Sequence, residues 1–290
     1  MKGQREMNQH PNLPVALITG CSSGIGRATA LLLANEGWRV FATARHLQAI
    51  NDLASDRITP LRLDVTDDAS MVAAVQEVLT QAGRIDVLVN NAGYTEVGPL
   101  EEVTLEEIRC QFETNTFGPL RLAQLVLPAM RAQGSGRIVN VSTIGGRIAI
   151  PFLGLYNGSK FALEAMSDVL RMETRPFGVR VIVIEPGGVR TNFNAVAYQR
   201  AQRFATDADS PYHRFFERLN RFITYSTTNS PPPEKVAEII HHALVARYPR
   251  ARYAATLDAR LMLAIMPWLP DRKRDALMSW LLGIHEARTA

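Results

Sequence analysis

The sequence predicts an α/β fold: one domain built on a doubly wound parallel sheet. Three observations carry this. Short, nearly continuous apolar runs alternate with segments of helical periodicity from Pro14 to about residue 190. The first run leads through a glycine-rich turn straight into a helix. Residues able to do chemistry stand just past the ends of the runs, where such a sheet presents its ligands.

In order, Val15 to Thr19 reads as a buried strand, and Gly24 to Glu36 as a helix stopped at Gly37. Arg39 to Thr43 and Ile58 to Val65 are the second and third strands. Asp67 to Ala82 is a helix that Asp67 or Asp68 can cap and Gly83 ends. Ile85 to Val89 is the fourth strand, Leu105 to Met130 a long helix and Arg137 to Val141 the fifth strand. Tyr156 to Pro176 is a helix and Val179 to Ile184 the sixth strand. Beyond an irregular insertion from about Thr191 to Pro233, Glu234 to Arg247 is a helix and Arg252 to Thr256 a last strand. Residues 1–13 are expected to be a flexible lead-in to a domain filling 14–290.

A hydrophobic fraction of 47% supplies a sizeable core, and 21% charged residues leave little room for disorder. The net charge of +4 permits anionic small molecules or a membrane surface without requiring either. Without a basic–aromatic motif it gives no support for a nucleic-acid partner. Two cysteines, Cys21 and Cys110, exclude a disulfide framework and suit a reducing, cytoplasmic setting. No metal is expected.

After the first strand comes Thr19-Gly20-Cys21-Ser22-Ser23-Gly24-Ile25-Gly26. Gly20 permits a tight turn, Gly24 and Gly26 let backbone approach a phosphate, and the helix start points free N–H groups at it. The alternative is a tight turn with no ligand. At the end of the second strand, Arg45 stands where an acidic residue would take a ribose, so a 2′-phosphate and NADP are favoured over NAD; a solvated arginine is the plainer reading. Asp64 could accept from an adenine amino group or cap the next turn.

Tyr156 and Lys160 lie one turn apart on a predicted helix. Bringing a phenol from a pKa of about 10 to neutrality takes roughly 4 kcal/mol. A single ammonium about 4 Å away in a partly screened site supplies that much. The pair could therefore act as an acid–base catalyst. Pro119 follows Asn115 by four residues, so it donates nothing to the Asn115 carbonyl and releases it from the helix ladder.

Together these residues resemble the short-chain dehydrogenase/reductase family. The resemblance runs from about Pro14 to Thr191. Thr19 to Gly26 matches its cofactor loop, with Gly20, Ser22, Ser23, Gly24, Ile25 and Gly26 against the cofactor. Asp64 and Val65 match its adenine-contacting pair, and Asn91, Ala92 and Gly93 its second motif. Asn115, Ser142, Tyr156 and Lys160 match its catalytic four, and Pro186, Gly187, Val189 and Thr191 its nicotinamide segment.

The resemblance implies a Rossmann-type fold and hydride transfer between nicotinamide C4 and a carbonyl or alcohol. Tyr156 would supply the proton and Ser142 polarise the carbonyl. Lys160 would hold the nicotinamide ribose, and a water at the Asn115 backbone would link Lys160 to solvent. Alone, Ser142 reads as a turn serine. The family also implies a homodimer or homotetramer. The competing class is a non-catalytic NADP-binding redox sensor.

Thr191 to Ser230, within a lid over about 191–233, holds Phe193, Tyr198, Phe204, Tyr212, Phe215, Phe216, Phe222 and Tyr225. They suit an apolar pocket for a lipophilic substrate such as a steroid, retinoid, long-chain aldehyde or acyl ketone, or they pack the lid onto the sheet. Arg190, Arg200 and Arg203 are candidates for a cationic patch toward a phosphorylated lipid. In the apolar tail, about 257–284, Leu261 to Leu269 precede Arg272, Lys273 and Arg274. This suits a peripheral membrane contact, a cover for the substrate mouth or a subunit contact.

Overall fold

Residues such as Val15, Leu17 and Ile18 are apolar on both sides of the strand and so need cover on both faces. The computed structural model, which describes residues 13–284, excepting the side chains at 194, 195, 217, 222, 223 and 225–228, meets that need with helices on each face. The lead-in before Leu13, the end of the chain past Ile284, and the Phe222 and Tyr225 side chains lie outside the described residues.

The elements in order are β1 (Val15–Ile18), α1 (Gly24–Asn35), β2 (Arg39–Ala44), β3 (Ile58–Arg62), α2 (Asp68–Ala82), β4 (Val87–Asn90), α3 (Leu105–Phe112), α4 (Gly118–Gln133), β5 (Gly136–Val141), α5 (Gly154–Thr174), β6 (Val179–Glu185), α6 (Phe193–Thr206), α7 (His213–Thr228), α8 (Pro233–Val245), β7 (Arg252–Ala254), α9 (Leu257–Ile265) and α10 (Asp271–Leu282). All the strands are parallel, in the order β3-β2-β1-β4-β5-β6-β7. The order reverses between β1 and β4, which opens a crevice at their carboxyl ends.

Alternate residues of each strand feed two cores. Ala16, Ile18, Val40, Val89 and Ile184 pack with α1 and α8, which lie against each other. Leu17, Phe41, Leu88, Ile138 and Val181 pack under α2 and α4. The predicted strands and helices are present with ends moved by a few residues, and Asp67 caps α2 through Ser70 N.

Two regions differ from expectation. The segment expected to be irregular is helical as α6 and α7. The expected long helix from Leu105 is broken by a π-helical turn over Glu113–Phe117, where the Gly118 N–H reaches back to the Glu113 carbonyl. This is the physical outcome of Pro119 withholding its N–H from Asn115.

Beneath the crevice, Asn90 Nδ2 donates to Asn140 Oδ1 at 2.8 Å and to the Pro119 carbonyl at 3.1 Å. Asn140 Nδ2 in turn donates to Ser167 Oγ at 2.8 Å. This chain ties β4, β5, α4 and α5 together. Asn90→Ala orphans the buried Asn140 Oδ1 and is expected to cost about 1–3 kcal/mol in urea unfolding.

Candidate active site

The glycine-rich turn follows β1 because its backbone conformation demands it: Gly20 and Gly24 have φ of 73° and 59°. A Cβ on Gly20 would stand 2.9 Å from the Ala92 Cα, and one on Gly26 would strike Asn91 Nδ2 and the Gly20 carbonyl. Asn91 braces the turn directly, its Nδ2 donating to the Thr19 and Gly20 carbonyls at 2.9 and 3.1 Å. The Thr19 hydroxyl accepts from Asn91 N and Ala92 N, both at 3.0 Å. Thr19 was absent from the sequence-derived site, although a hydroxyl residue closing a strand before a glycine turn is a usable signal.

Helix α1 starts at Gly24 with no side-chain cap from Ser23 and no acidic residue in its first turn. Its free N–H groups therefore fit an anion such as a dinucleotide phosphate. Arg45 is exposed and lines the same cleft. Asp64 Oδ1 accepts from Thr66 N at 3.0 Å and Thr66 Oγ1 at 2.8 Å, so the turn-capping alternative holds for that oxygen. Asp64 and Val65 nevertheless line the cleft as well.

The cleft, of about 1820 Å³, brings together all the sequence-predicted site residues except Gly26, which packs the turn from behind, and Asn115, which lies beneath. Asn115 is fully buried. Its Nδ2 donates to the Tyr94 carbonyl at 2.9 Å and Ser159 Oγ at 3.1 Å, and its Oδ1 accepts from Tyr94 N at 3.2 Å. The Thr116 hydroxyl donates to the Ser159 carbonyl at 2.8 Å. The π turn is thus stitched to α5 one turn past Tyr156.

On the other flank, Asn157 Nδ2 donates to the Gly145 carbonyl at 2.9 Å, and its Oδ1 accepts from Ile150 N at 2.8 Å. That pins the loop after β5 to α5 beside Tyr156. Asn157 was missed because a polar residue on a helix carries no mark of which loop it will hold.

Lys160 is buried, and its Nζ donates to the Val141 carbonyl at 2.9 Å. Burial depresses its pKa to about 8, partly offset by Glu164 on the next turn. Burial raises the Tyr156 phenol above its ordinary value, with a hydrogen bond to the Thr143 side chain working against it. The expectation that Lys160 alone brings the phenol toward neutrality is not met by this arrangement. One N–H of the ammonium goes to the strand carbonyl, and the phenol stays a protonated acid at neutral pH.

The Ser142 hydroxyl is buried at the cleft wall, beside the Glu164 carboxyl, and makes no well-formed hydrogen bond. Behind it, Arg252 holds Glu164 at 3.0 Å and Asp168 at 2.7 Å. Burial pushes Glu185 up to about 7, and the neighbouring Glu164 adds to the shift.

The nicotinamide segment is held from the far end of the chain. Gly187 N donates to Thr256 Oγ1 and Gly188 N to Asp258 Oδ2, each at 2.9 Å. A Cβ on Gly187 would collide with Asp258.

The lid aromatics mostly take the packing alternative. Phe204, Tyr212, Phe215 and Phe216 form a separate core with Phe152, their rings 5.3–6.1 Å from one another. Tyr198 is exposed. Phe193 enters the cleft, its ring 5.8 Å from that of Tyr156. Arg200 pairs with buried Glu96 and lies over the Tyr94 ring, and Arg203 pairs with Glu107 at 2.6 Å.

The short chain dehydrogenase family profile matches residues 14–202. A 3-ketodihydrosphingosine reductase of Bacteroides thetaiotaomicron is 35% identical, over 94% of this chain and 98% of its own. Human 17-beta-hydroxysteroid dehydrogenase type 1 is 38% identical, over 83% and 77%. A crystal structure of a metagenomic short-chain oxidoreductase in complex with NADP superposes with a TM-score of 0.66 at 25% identity, over 83% of this chain and 96% of that one.

The Lys160 shift has a measurable consequence. Between pH 8 and 10.5 the unfolded chain keeps a proton at Lys160 that the folded protein has shed, so the Lys160 contribution to stability rises through this window. Tyr156 acts in the opposite sense only above pH 10, its ordinary value. Buried Cys21, its thiol pushed up to about 12, opposes this from pH 9, so the urea-unfolding free energy should climb only from pH 8 to about 9, by roughly 1.4 kcal/mol, and Lys160→Met should abolish the climb.

Proposed function

Because the chain belongs to the short-chain dehydrogenase family, we propose that it is an NADP-dependent oxidoreductase acting on the carbonyl, or the primary or secondary alcohol, of a lipophilic substrate. One observation carries this: Tyr156, Ser142 and Lys160 share a cleft with an uncapped helix start and the Pro186–Gly188 loop. NAD is the alternative cofactor.

When bound, the nicotinamide supplies the hydride and, once oxidised, a positive charge. Ser142, a buried hydroxyl with hydrogen-bonding capacity to spare, donates to the substrate oxygen and polarises it. Tyr156, protonated at neutral pH, gives its proton to that oxygen as negative charge develops, and takes it back in the oxidative direction. Lys160 holds the cofactor ribose and passes the replacement proton to Tyr156. A water held at the Asn115 backbone, loosened by the π turn, would link Lys160 to solvent. Gly20, Ser22, Ser23, Gly24 and Ile25 would hold the phosphates, with Gly26 packing the turn behind them. Asp64 and Val65 would hold the adenine; Asn91, Ala92, Gly93, Pro186, Gly187, Val189 and Thr191 would hold the rest of the dinucleotide.

Ile150, Leu153, Phe193, Val196 and Met262 line the cleft beside Tyr156 and support a lipophilic substrate. So do the names of the sphingosine-type and steroid relatives. Arg200 and Arg203 are neutralised by Glu96 and Glu107, which disfavours a phosphorylated head group. Exposed Phe161, Val169 and Met172 on α5 offer a face for a homodimer or homotetramer.

NADPH oxidation screened over steroids, retinals, aliphatic aldehydes and acyl ketones tests this. Turnover is expected with at least one lipophilic class, and Tyr156→Phe should lower it by about 10²–10⁴-fold. NADPH binding without turnover on any class would favour the redox sensor. Arg45→Ala should raise the NADPH KM by about 10- to 100-fold and leave that for NADH nearly unchanged, the loss of one charge-assisted phosphate contact.

A further inference from the structure

Helices α9 and α10 turn their inner sides onto the protein: Met266 and Met278 bury against Ile148 of the loop after Ser142, with Met262 and Leu269 alongside. Their outer sides carry apolar residues that nothing among the described residues covers. On α9, Leu257, Leu261 and Ile265 recur every four residues and are 73%, 57% and 56% exposed. Trp268, just beyond, is 85% exposed. On α10, Leu277, Trp280 and Leu281 share one stripe, 37%, 65% and 45% exposed.

Cations border this surface. Arg272 and Lys273 are exposed in the first turn of α10, and Lys273 stands one turn before Leu277 on the same stripe. Helix α7 packs against α10 and brings exposed Arg214 and Arg218, with Arg218 against Gly283 at the α10 end. Of the acids on α10, Asp271 is engaged by Arg274, which leaves Asp275.

We propose that this outer face is a docking surface for an anionic bilayer. Leucine, isoleucine and indole side chains would enter the acyl boundary while the arginines and lysine meet lipid head groups. Each helix is far shorter than the roughly 30 Å hydrocarbon core, so the pair lies in the interface plane. Leu257 belongs both to this stripe and to the cleft lining, so the cleft mouth opens onto the membrane side. The same helix start, through Thr256 and Asp258, holds the nicotinamide loop. The direction of the mouth rests on the lipophilic-substrate reading; the docking itself does not.

The test uses the full chain, with neither cofactor nor substrate, and vesicles of phosphatidylcholine with or without about one quarter phosphatidylserine. Co-flotation with the anionic vesicles is expected. It should weaken in about 0.5 M NaCl, where screening is strong. A blue shift in tryptophan emission should accompany binding, since Trp38 is already buried and Trp268 and Trp280 are not. Ile265→Ser with Trp268→Ser should reduce partition by about tenfold or more, leaving turnover of a water-soluble aldehyde unchanged as the sign of an intact fold.

Wild-type protein that fails to float with anionic vesicles would overturn the proposal, as would a double variant that floats equally well. So would a wild-type oligomer that the double variant dissociates while neither protein binds vesicles, since the face would then join copies of this chain. If no carbonyl is ever turned over but anionic vesicles are bound, the oxidoreductase reading fails and the docking surface stands.

Discussion

A buried ammonium must find oxygen, and the arrangement around Lys160 follows from that demand. The Val141 carbonyl, last in β5, answers it at 2.9 Å. For the bond to form, α5 has to sit at one height along the end of the sheet. Two brackets on α5 fix that height: Asn115 with Thr116 at Ser159, and Asn157 at the loop after β5. With the helix so held, Tyr156 faces the cleft and Ser142 lines its wall.

Much of this was legible in the sequence because it depends on local spacing. The glycine turn, the paired Tyr156 and Lys160 and the residues just past the strand ends are set by backbone geometry that neighbours in the chain dictate. The break near Asn115 was legible for the same reason, since Pro119 removes a donor four residues on. The structure resolves it as a π turn rather than a kink.

The rest depends on contacts distant in the chain. Thr256 and Asp258 reach Gly187 and Gly188 across about seventy residues, and nothing local marks them as supports of the nicotinamide loop. The lid aromatics misled in the expected way. Composition reports how much apolar surface a segment holds but not which side of a helix meets Phe152 and which meets the cleft. Arginine counts likewise could not show that Arg200 and Arg203 are matched by Glu96 and Glu107. Those pairs tie α6 to the loop after β4 and to α3, and match the two α6 arginines with carboxylates.

The central claim is that Tyr156 handles the proton and that the charge of Lys160 tunes it once the cofactor is in place. The pH profile of kcat/KM for carbonyl reduction, compared between wild type and Lys160→Arg, tests this most directly. The account predicts activity falling at high pH as one group loses its proton, with the fall moved in the variant because the cation beside Tyr156 has changed place. A profile with no alkaline limb, or a limb that stays put in the variant, would contradict it.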